Sequence, residues 1–392
     1  MMSEWNHSTI NDVCVLVTDG SHSSPKSVHD GEYMVSVKDF TDYGFDFSSC
    51  RMISHDDYEV LKRNGCVPQI DDILIGKDGA RFFEDIIIYR QREKPALLSS
   101  IAILRCDKSK ILPDFLYYAL RTPSFKQDVK DNYGSGSAIP RIILKDFKRM
   151  MVSYPSLEKQ RSVISVLTAI DSKIQANTEI NDNLQQQAAA LFSSLYDRSN
   201  TEVRFTDLIQ ILGGGTPKTG ENTYWNGNIA FFTPKDVGTP YTLITEKTIS
   251  KEGLSHCNSR LYPVNTVFVT ARGTVGKVGM SGVPMAMNQS CYALVGKETH
   301  QLLVYFYTLK AVDRLKHKAS GAVFDAITTR DFESEQIMKL SDDDATAFLR
   351  VAEPMFQEVL NNNIENLRLS TLRDSLLPKL MSGEIDVSAV QL

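Results

Sequence analysis

Residues 163–195 read VISVLTAIDSKIQANTEINDNLQQQAAALFSSL, and residues 348–380 read FLRVAEPMFQEVLNNNIENLRLSTLRDSLLPKL. In the first stretch Val163, Leu167, Ile170, Ile174, Asn177, Asn181, Leu184, Ala188, Leu191 and Leu195 alternate in steps of four and three. In the second, Phe348, Ala352, Met355, Val359, Asn362, Asn366, Leu369, Arg373, Leu376 and Leu380 keep the same phase. A spacing averaging about 3.5 residues places these side chains on one seam, which two helices bury by wrapping together. A seam asparagine costs stability unless it pairs, and pairing fixes register. Asn177 and Asn181 recur as Asn362 and Asn366, so the two helices are expected to face each other with these four residues setting the register. Pro155 and the polar run Asp197-Arg198-Ser199-Asn200 frame the first helix, and Pro378 is expected to interrupt the second near its end.

The same offset of 185 residues that superimposes the asparagines also lays Ser135-Gly136 on Ser320-Gly321 and Asp146-Phe147 on Asp331-Phe332. Upstream the halves correspond only with gaps. Asp72-Ile73-Leu74-Ile75 resembles Asn265-Thr266-Val267-Phe268-Val269, and Leu98-Ser99-Ser100-Ile101 resembles Asn288-Gln289-Ser290-Cys291. Short β-branched runs at Asp85–Tyr89, Ile101–Leu104 and Thr266–Thr270 read as strands between glycine-rich turns. The chain therefore divides into a mixed α/β (α+β) domain at 1–155, a helix at 156–198, a second such domain at 199–340, and a second helix with a tail at 341–392. This is an internal repeat of the kind that organises a whole fold.

Composition sets outer limits. The 392 residues suffice for two or three domains, and 42% hydrophobic with 23% charged residues is ordinary for a folded protein. No apolar run is long enough to span a bilayer, and the first residues lack the basic-then-apolar pattern of a signal peptide. Cys14, Cys50, Cys66, Cys106, Cys257 and Cys291 are scattered without a CxxC pair, so reduced thiols and a cytoplasmic location are expected. The net charge of −5 is unevenly spread: residues 1–155 carry 20 basic and 22 acidic residues, 199–340 carry 15 and 12, and 341–392 carry 4 and 9. Such a balance permits DNA binding through local patches without advertising it.

Four recurring features could touch a polyanion. Polar loops near each domain start, Asp19 to Lys26 and Gly213 to Gly220, expose backbone N–H groups, hydroxyls, Lys26 and Lys218. The second is not a Walker loop, and a structural turn is the default reading of both. Gly76-Lys77-Asp78-Gly79-Ala80-Arg81 and Arg272-Gly273-Thr274-Val275-Gly276-Lys277 each follow a strand and offer Lys77, Arg81, Arg272, Thr274 and Lys277. Lys126 and Lys130 lead to Ser135, Ser137 and Arg141, as Lys316 and Lys318 lead to Ser320. Solvated helix faces are the plainer account of those runs. Lys38 and Lys235 sit in Ser36-Val37-Lys38-Asp39 and Thr233-Pro234-Lys235-Asp236.

These residues resemble the specificity subunits of type I restriction-modification systems. The resemblance rests on Gly214-Gly215-Thr216-Pro217, Tyr224-Trp225-Asn226-Gly227, Thr233-Pro234-Lys235-Asp236 and Arg272-Gly273-Thr274-Val275-Gly276 in the second domain. In the helices it rests on Pro155-Ser156-Leu157-Glu158-Lys159-Gln160, Ile170-Asp171-Ser172-Lys173-Ile174 and Leu376-Leu377-Pro378-Lys379-Leu380. It implies two target-recognition domains joined by two long helices in an antiparallel coiled coil. It further implies double-stranded DNA read as a two-part target, with the helices setting the gap. Methyltransferase subunits with S-adenosylmethionine, and a restriction–translocase subunit using ATP and magnesium, would be partners, with no cofactor on this chain. Ser341-Asp342-Asp343-Asp344-Ala345 departs from the family's usual Pro and Glu-Gln lead into the second helix.

Two rival readings differ in class. Pro113-Asp114 with Asp146-Phe147-Lys148 loosely fits a metal-dependent nuclease core, but the second half has no equivalent. No HExxH, Gly-x-Ser-x-Gly or adenine-methyltransferase Asn/Asp-Pro-Pro-Tyr/Phe segment is present, so catalytic and metal-ligating residues are not expected. The other rival is a coiled-coil assembly protein without base readout.

Overall fold

The computed structural model describes residues 5–134, 140–238, 240–318 and 326–387. The chain forms two compact units, Met1–Ser172 with Leu369–Leu392, and Lys173–Arg368.

In the first unit four antiparallel strands lie in the order Cys14–Asp19, Ile101–Cys106, Ile73–Gly76, Ile86–Ile88. Alternation along these strands feeds two cores. Ile73, Ile75, Ala102 and Leu104 face the helix Pro113–Arg121 through Phe115, Leu116 and Leu120. Leu74, Ile101 and Ile103 join Val35, Phe45, Ile87 and Leu97 on the other face. A strand buried on both faces reads as an unbroken apolar run, and Ile73–Gly76 is wholly buried. Glu32–Val35 forms a second sheet between antiparallel Arg51–Ile53 and parallel Ala96–Leu97, and Asn6–Thr9 pairs with Met151–Tyr154.

The second unit repeats the plan. Its main sheet runs Ile209–Gly213, Cys291–Gly296, Val267–Thr270, Val278–Ser281, with Tyr241–Thr242 added at the edge. Trp225–Phe232 lies between antiparallel Lys247–Ile249 and parallel Met285–Met287, and Thr201–Arg204 pairs with Gln336–Lys339. Val267, Val269 and Leu294 enter the larger core while Phe268, Cys291 and Ala293 enter the smaller one, the same division as in the first unit.

The long helices are Leu157–Asp197 and Asp342–Ser382, each of 41 residues. Within the first unit Val163 and Leu167 share a core with Leu377, Leu380 and Met381. There Arg373, at a seam position, donates to Asp171 at 2.9 Å, and Tyr118 donates to the same carboxylate at 2.7 Å. Within the second unit Ala188, Phe192 and Leu195 pack with Phe348, Ala352, Phe356 and Val359. The asparagines there pair crosswise: Asn177 donates to Asn366 and Asn362 donates to Asn181, each at 2.9 Å. Partner numbers fall on one helix as they rise on the other, so the pairing is antiparallel.

Pro378 does not interrupt the second helix, which continues to Ser382. Burial of Leu377, Leu380 and Met381 around it outweighs the hydrogen bond that proline cannot donate. Ser341-Asp342-Asp343-Asp344 supplies a regular helix start. Ser341 accepts from the Asp344 N–H at 3.1 Å, and three acidic residues occupy the first turn, where the helix dipole favours negative charge. A hydrogen bond from Arg198 holds the Asp344 carboxyl below its ordinary range.

Candidate nucleic-acid interface

The second unit carries an open polar cleft of about 430 Å³ lined by Thr233, Pro234, Lys235, Lys247, Arg272, Thr274, Asn288 and Ser290 among others. Its walls are loops braced by their own chemistry. At Thr233 the backbone N–H and the hydroxyl both donate to Asp236, at 2.8 and 2.6 Å, closing a tight turn. Lys235 projects from that turn with its side chain 80% exposed, 3.5 Å from Glu246. The facing loop leaves the strand Val267–Thr270. Ala271 and Arg272 both donate their N–H groups to the Ser290 carbonyl, at 2.8 and 3.2 Å, and Ile327 donates to the Ala271 carbonyl at 2.9 Å. Gly273 follows at φ +83°, a conformation that side chains disfavour. The Thr274 hydroxyl donates to the Pro234 carbonyl at 3.3 Å, linking the loops, and the Lys277 N–H donates to Thr270 at 2.9 Å.

The first unit holds the corresponding loops. The Ser36 N–H and hydroxyl donate to Asp39 at 2.8 and 3.1 Å, and Lys38 stands exposed where Lys235 stands in the second. Lys77 donates its N–H to the Ser100 carbonyl and accepts from Ile142, the roles of Ala271. Gly79, at φ +94°, occupies the place of Gly273. The structural equivalences are therefore Lys77 with Ala271 and Asp78 with Arg272. The two loops leave their strands in step, Gly76 matching Thr270 and Gly79 matching Gly273, and differ in length only farther on.

Two other glycines explain the loops near the domain starts. A Cβ on Gly20 would lie 2.3 Å from the Leu97 carbonyl oxygen, and one on Gly214 would lie 2.2 Å from that of Asn288. Both glycines let one backbone pass close against another, so a packing requirement accounts for them. Lys26 and Lys218 sit beyond, both exposed.

The predicted basic residues separate by their partners. Lys77 is 2% exposed and pairs with buried Asp19 at 3.2 Å, beside Asp78 at 3.9 Å. An enclosed ammonium cannot reach a phosphate, so Lys77 does not belong to a surface. Its partner position explains why sequence missed this: Asp19 corresponds to Gly213 as Lys77 corresponds to Ala271, so the repeat holds either both charges or neither. Arg81 pairs with Asp85 at 2.7 Å, and Arg141 with Asp78 at 3.4 Å. Lys126 and Lys130 both donate to Glu84 at 2.8 Å, and these bonds hold its carboxyl below the ordinary value. Lys318, with Arg314, faces the buried Glu335 carboxylate. Lys26, Lys38, Lys218, Arg272, Lys277 and Lys316 are exposed and make no ion pair among the described residues. Ser135, Ser137 and Ser320 lie outside the described residues.

Asn288 and Lys247, absent from the sequence prediction, line the cleft; Lys247 sits 5.7 Å over the Trp225 ring. Only the sheet pairing that brings Lys247–Ile249 beside Trp225–Phe232 could have found the latter. Burial pushes the Cys291 thiol up to about 12, so it stays protonated. No group of three or more His, Cys, Asp or Glu residues poised for a metal occurs among the described residues. No helix is long and apolar enough to cross a membrane among them. The cleft offers hydrogen-bond donors, amides and positive charge, with the Glu246 carboxylate among them.

Comparison with known proteins places this architecture. The family described as type I restriction modification DNA specificity domain matches twice, over residues 2–186 and 198–339. The chain is 24% identical over 361 residues to the type I restriction enzyme HindI specificity subunit of Haemophilus influenzae, covering 70% of this chain and 78% of that one. It is 22% identical over 307 residues to the MjaIX specificity subunit of Methanocaldococcus jannaschii, covering 71% of each. The crystal structure of a type I restriction-modification S subunit from M. genitalium shares the fold with a TM-score of 0.60 at 14% identity, covering 97% of this chain and 96% of that one. With its two matched domains, repeated sheet order and paired long helices, the chain belongs to the type I restriction modification DNA specificity domain family.

Proposed function

We propose that this chain is the DNA-reading specificity subunit of a type I restriction-modification complex, that each unit reads one half of a two-part target, and that it performs no chemistry itself. The observation that carries this reading is the twice-built pair of braced loops, Ser36–Asp39 with Lys77–Gly79 and Thr233–Asp236 with Ala271–Gly273, each presenting an exposed lysine. Exposed Lys38 and Lys235 suit phosphate oxygens, which position a protein on a duplex. The variable residue on the facing loop suits base edges, which specify. Methyltransferase subunits binding S-adenosylmethionine would modify adenine, and a restriction–translocase subunit would bring ATP and magnesium. The work of such complexes is done in the cytoplasm.

The test is the map of methylated adenines in the source strain with and without this gene. A two-part motif that disappears with the gene and returns on complementation is expected; an unchanged map overturns the proposal. Purified chain with plasmid, magnesium and S-adenosylmethionine, but no partner subunit, is expected to neither cleave nor methylate.

A further inference from the structure

We infer that Arg272 reads a guanine edge in the half-site of the second unit, and that the equivalent position in the first unit, Asp78, rejects that edge and gives its half-site a different preference. The inference rests on the function proposed above.

Position 272 is singled out by three observations. Its main chain is fixed on both sides, by the N–H bonds of Ala271 and Arg272 to Ser290, and by the bond from Ile327 to Ala271. So fixed a stem spares the backbone any ordering on binding. Its guanidinium has no carboxylate partner among the described residues, whereas Arg81 and Arg141 are held by Asp85 and Asp78. It also lines the polar cleft with Asn288, Ser290, Thr274 and Lys235, so a duplex whose backbone met Lys235 would bring its bases toward Arg272.

Chemistry selects the base. Guanine presents two acceptors in the major groove, O6 and N7, at the spacing of the guanidinium fork. An ammonium can also reach both acceptors, but as a point charge without a fixed fork it holds the base less selectively. The same fold position in the first unit holds Asp78, between Lys77 and Arg141. A carboxylate only accepts hydrogen bonds and repels two acceptors, so position 78 of the first unit cannot make this contact.

The decisive variants are R272K and R272A in the full chain, expressed in the source strain in place of the natural gene. Methylated motifs are read alongside those of the unaltered chain. For R272A the expected result is a degenerate motif: one guanine of one half-site loses at least about tenfold of its preference. The other half-site stays unchanged. R272K should lose less of the preference at the same position, since lysine keeps the charge and some of the donors. An R272A motif identical to that of the unaltered chain overturns the inference, because the base preference then does not depend on this side chain. A uniform fall for both variants with no degenerate position also overturns it. If the unaltered chain directs no two-part motif, the specificity-subunit reading itself fails, an outcome distinct from either.

Discussion

Asn362 donates its side-chain amide to Oδ1 of Asn181 across 2.9 Å, although the repeat superimposes Asn362 on Asn177. The two helices are copies that run in opposite directions, so each asparagine pairs with the copy of its neighbour. Asn181 in turn donates to Asn363, also at 2.9 Å, and both Asn181 and Asn362 are buried.

Removing one partner leaves a buried amide unsatisfied. Asn362→Leu should therefore destabilise the second unit by about 1–3 kcal/mol. Asn181→Leu with Asn362→Leu should recover most of that loss, since an apolar pair needs no partner, while weakening the preference for one register. Urea unfolding of the two variants and the natural chain checks this; equal losses in the single and double variants would refute the account.

The enclosed pair of Lys77 and Asp19 makes a sharper contrast. Lys77→Ala leaves the buried Asp19 carboxylate, among the described residues, only the exposed His22, at 3.4 Å, and should cost about 3–5 kcal/mol. Lys77→Met with Asp19→Leu should restore stability, because the second unit dispenses with both charges at Ala271 and Gly213. Thermal unfolding reads the difference. If Lys77 instead met DNA, the alanine variant would stay stable and bind DNA less tightly.

Glu84 gives a pH dependence with a definite sign. Hydrogen bonds from Lys126 and Lys130 hold its folded carboxyl below the ordinary 4.5, against the opposing effect of burial. Its contribution to stability is therefore present above 4.5 and is lost as pH falls through the lowered folded value. The thermal midpoint of the natural chain should drop more steeply below pH 4.5 than that of Glu84→Gln. The same variant frees both lysines, so its DNA binding at neutral pH should fall more steeply with salt.

Lys235 is placed as a backbone contact. Lys235→Ala should weaken binding to all duplexes alike, reduce the salt dependence of log K by about one, and leave the sequence preference intact. Binding isotherms at several salt concentrations measure both quantities. A changed preference would move Lys235 to the base edge.

The helices were legible because their periodicity is local: a seam residue every three or four positions announces a buried stripe whatever lies opposite. The strand cores were legible for the same reason, at Ile73–Ile75 and Val267–Val269. The candidate site was legible only in outline. Lys38 and Lys235 could be matched because Ser36–Asp39 and Thr233–Asp236 close the same short turn, whose bonds span three residues. Asp78 and Arg272 could not, because the two residue types share nothing and their equivalence shows only in the long-range backbone bonds of Lys77 and Ala271 beside them.

The sequence by itself thus determined the duplicated plan, the two long helices and the polar character of the loops, since each follows from the order of neighbouring residues. Tertiary structure decided which cations remain available. Lys77 is enclosed by Asp19, Lys126 and Lys130 are held by Glu84, and Lys318 faces Glu335, all carboxylates remote along the chain. A lysine's charge is written in its residue type, but its freedom to meet a phosphate depends on what lies within about 4 Å in space, which chain order does not encode.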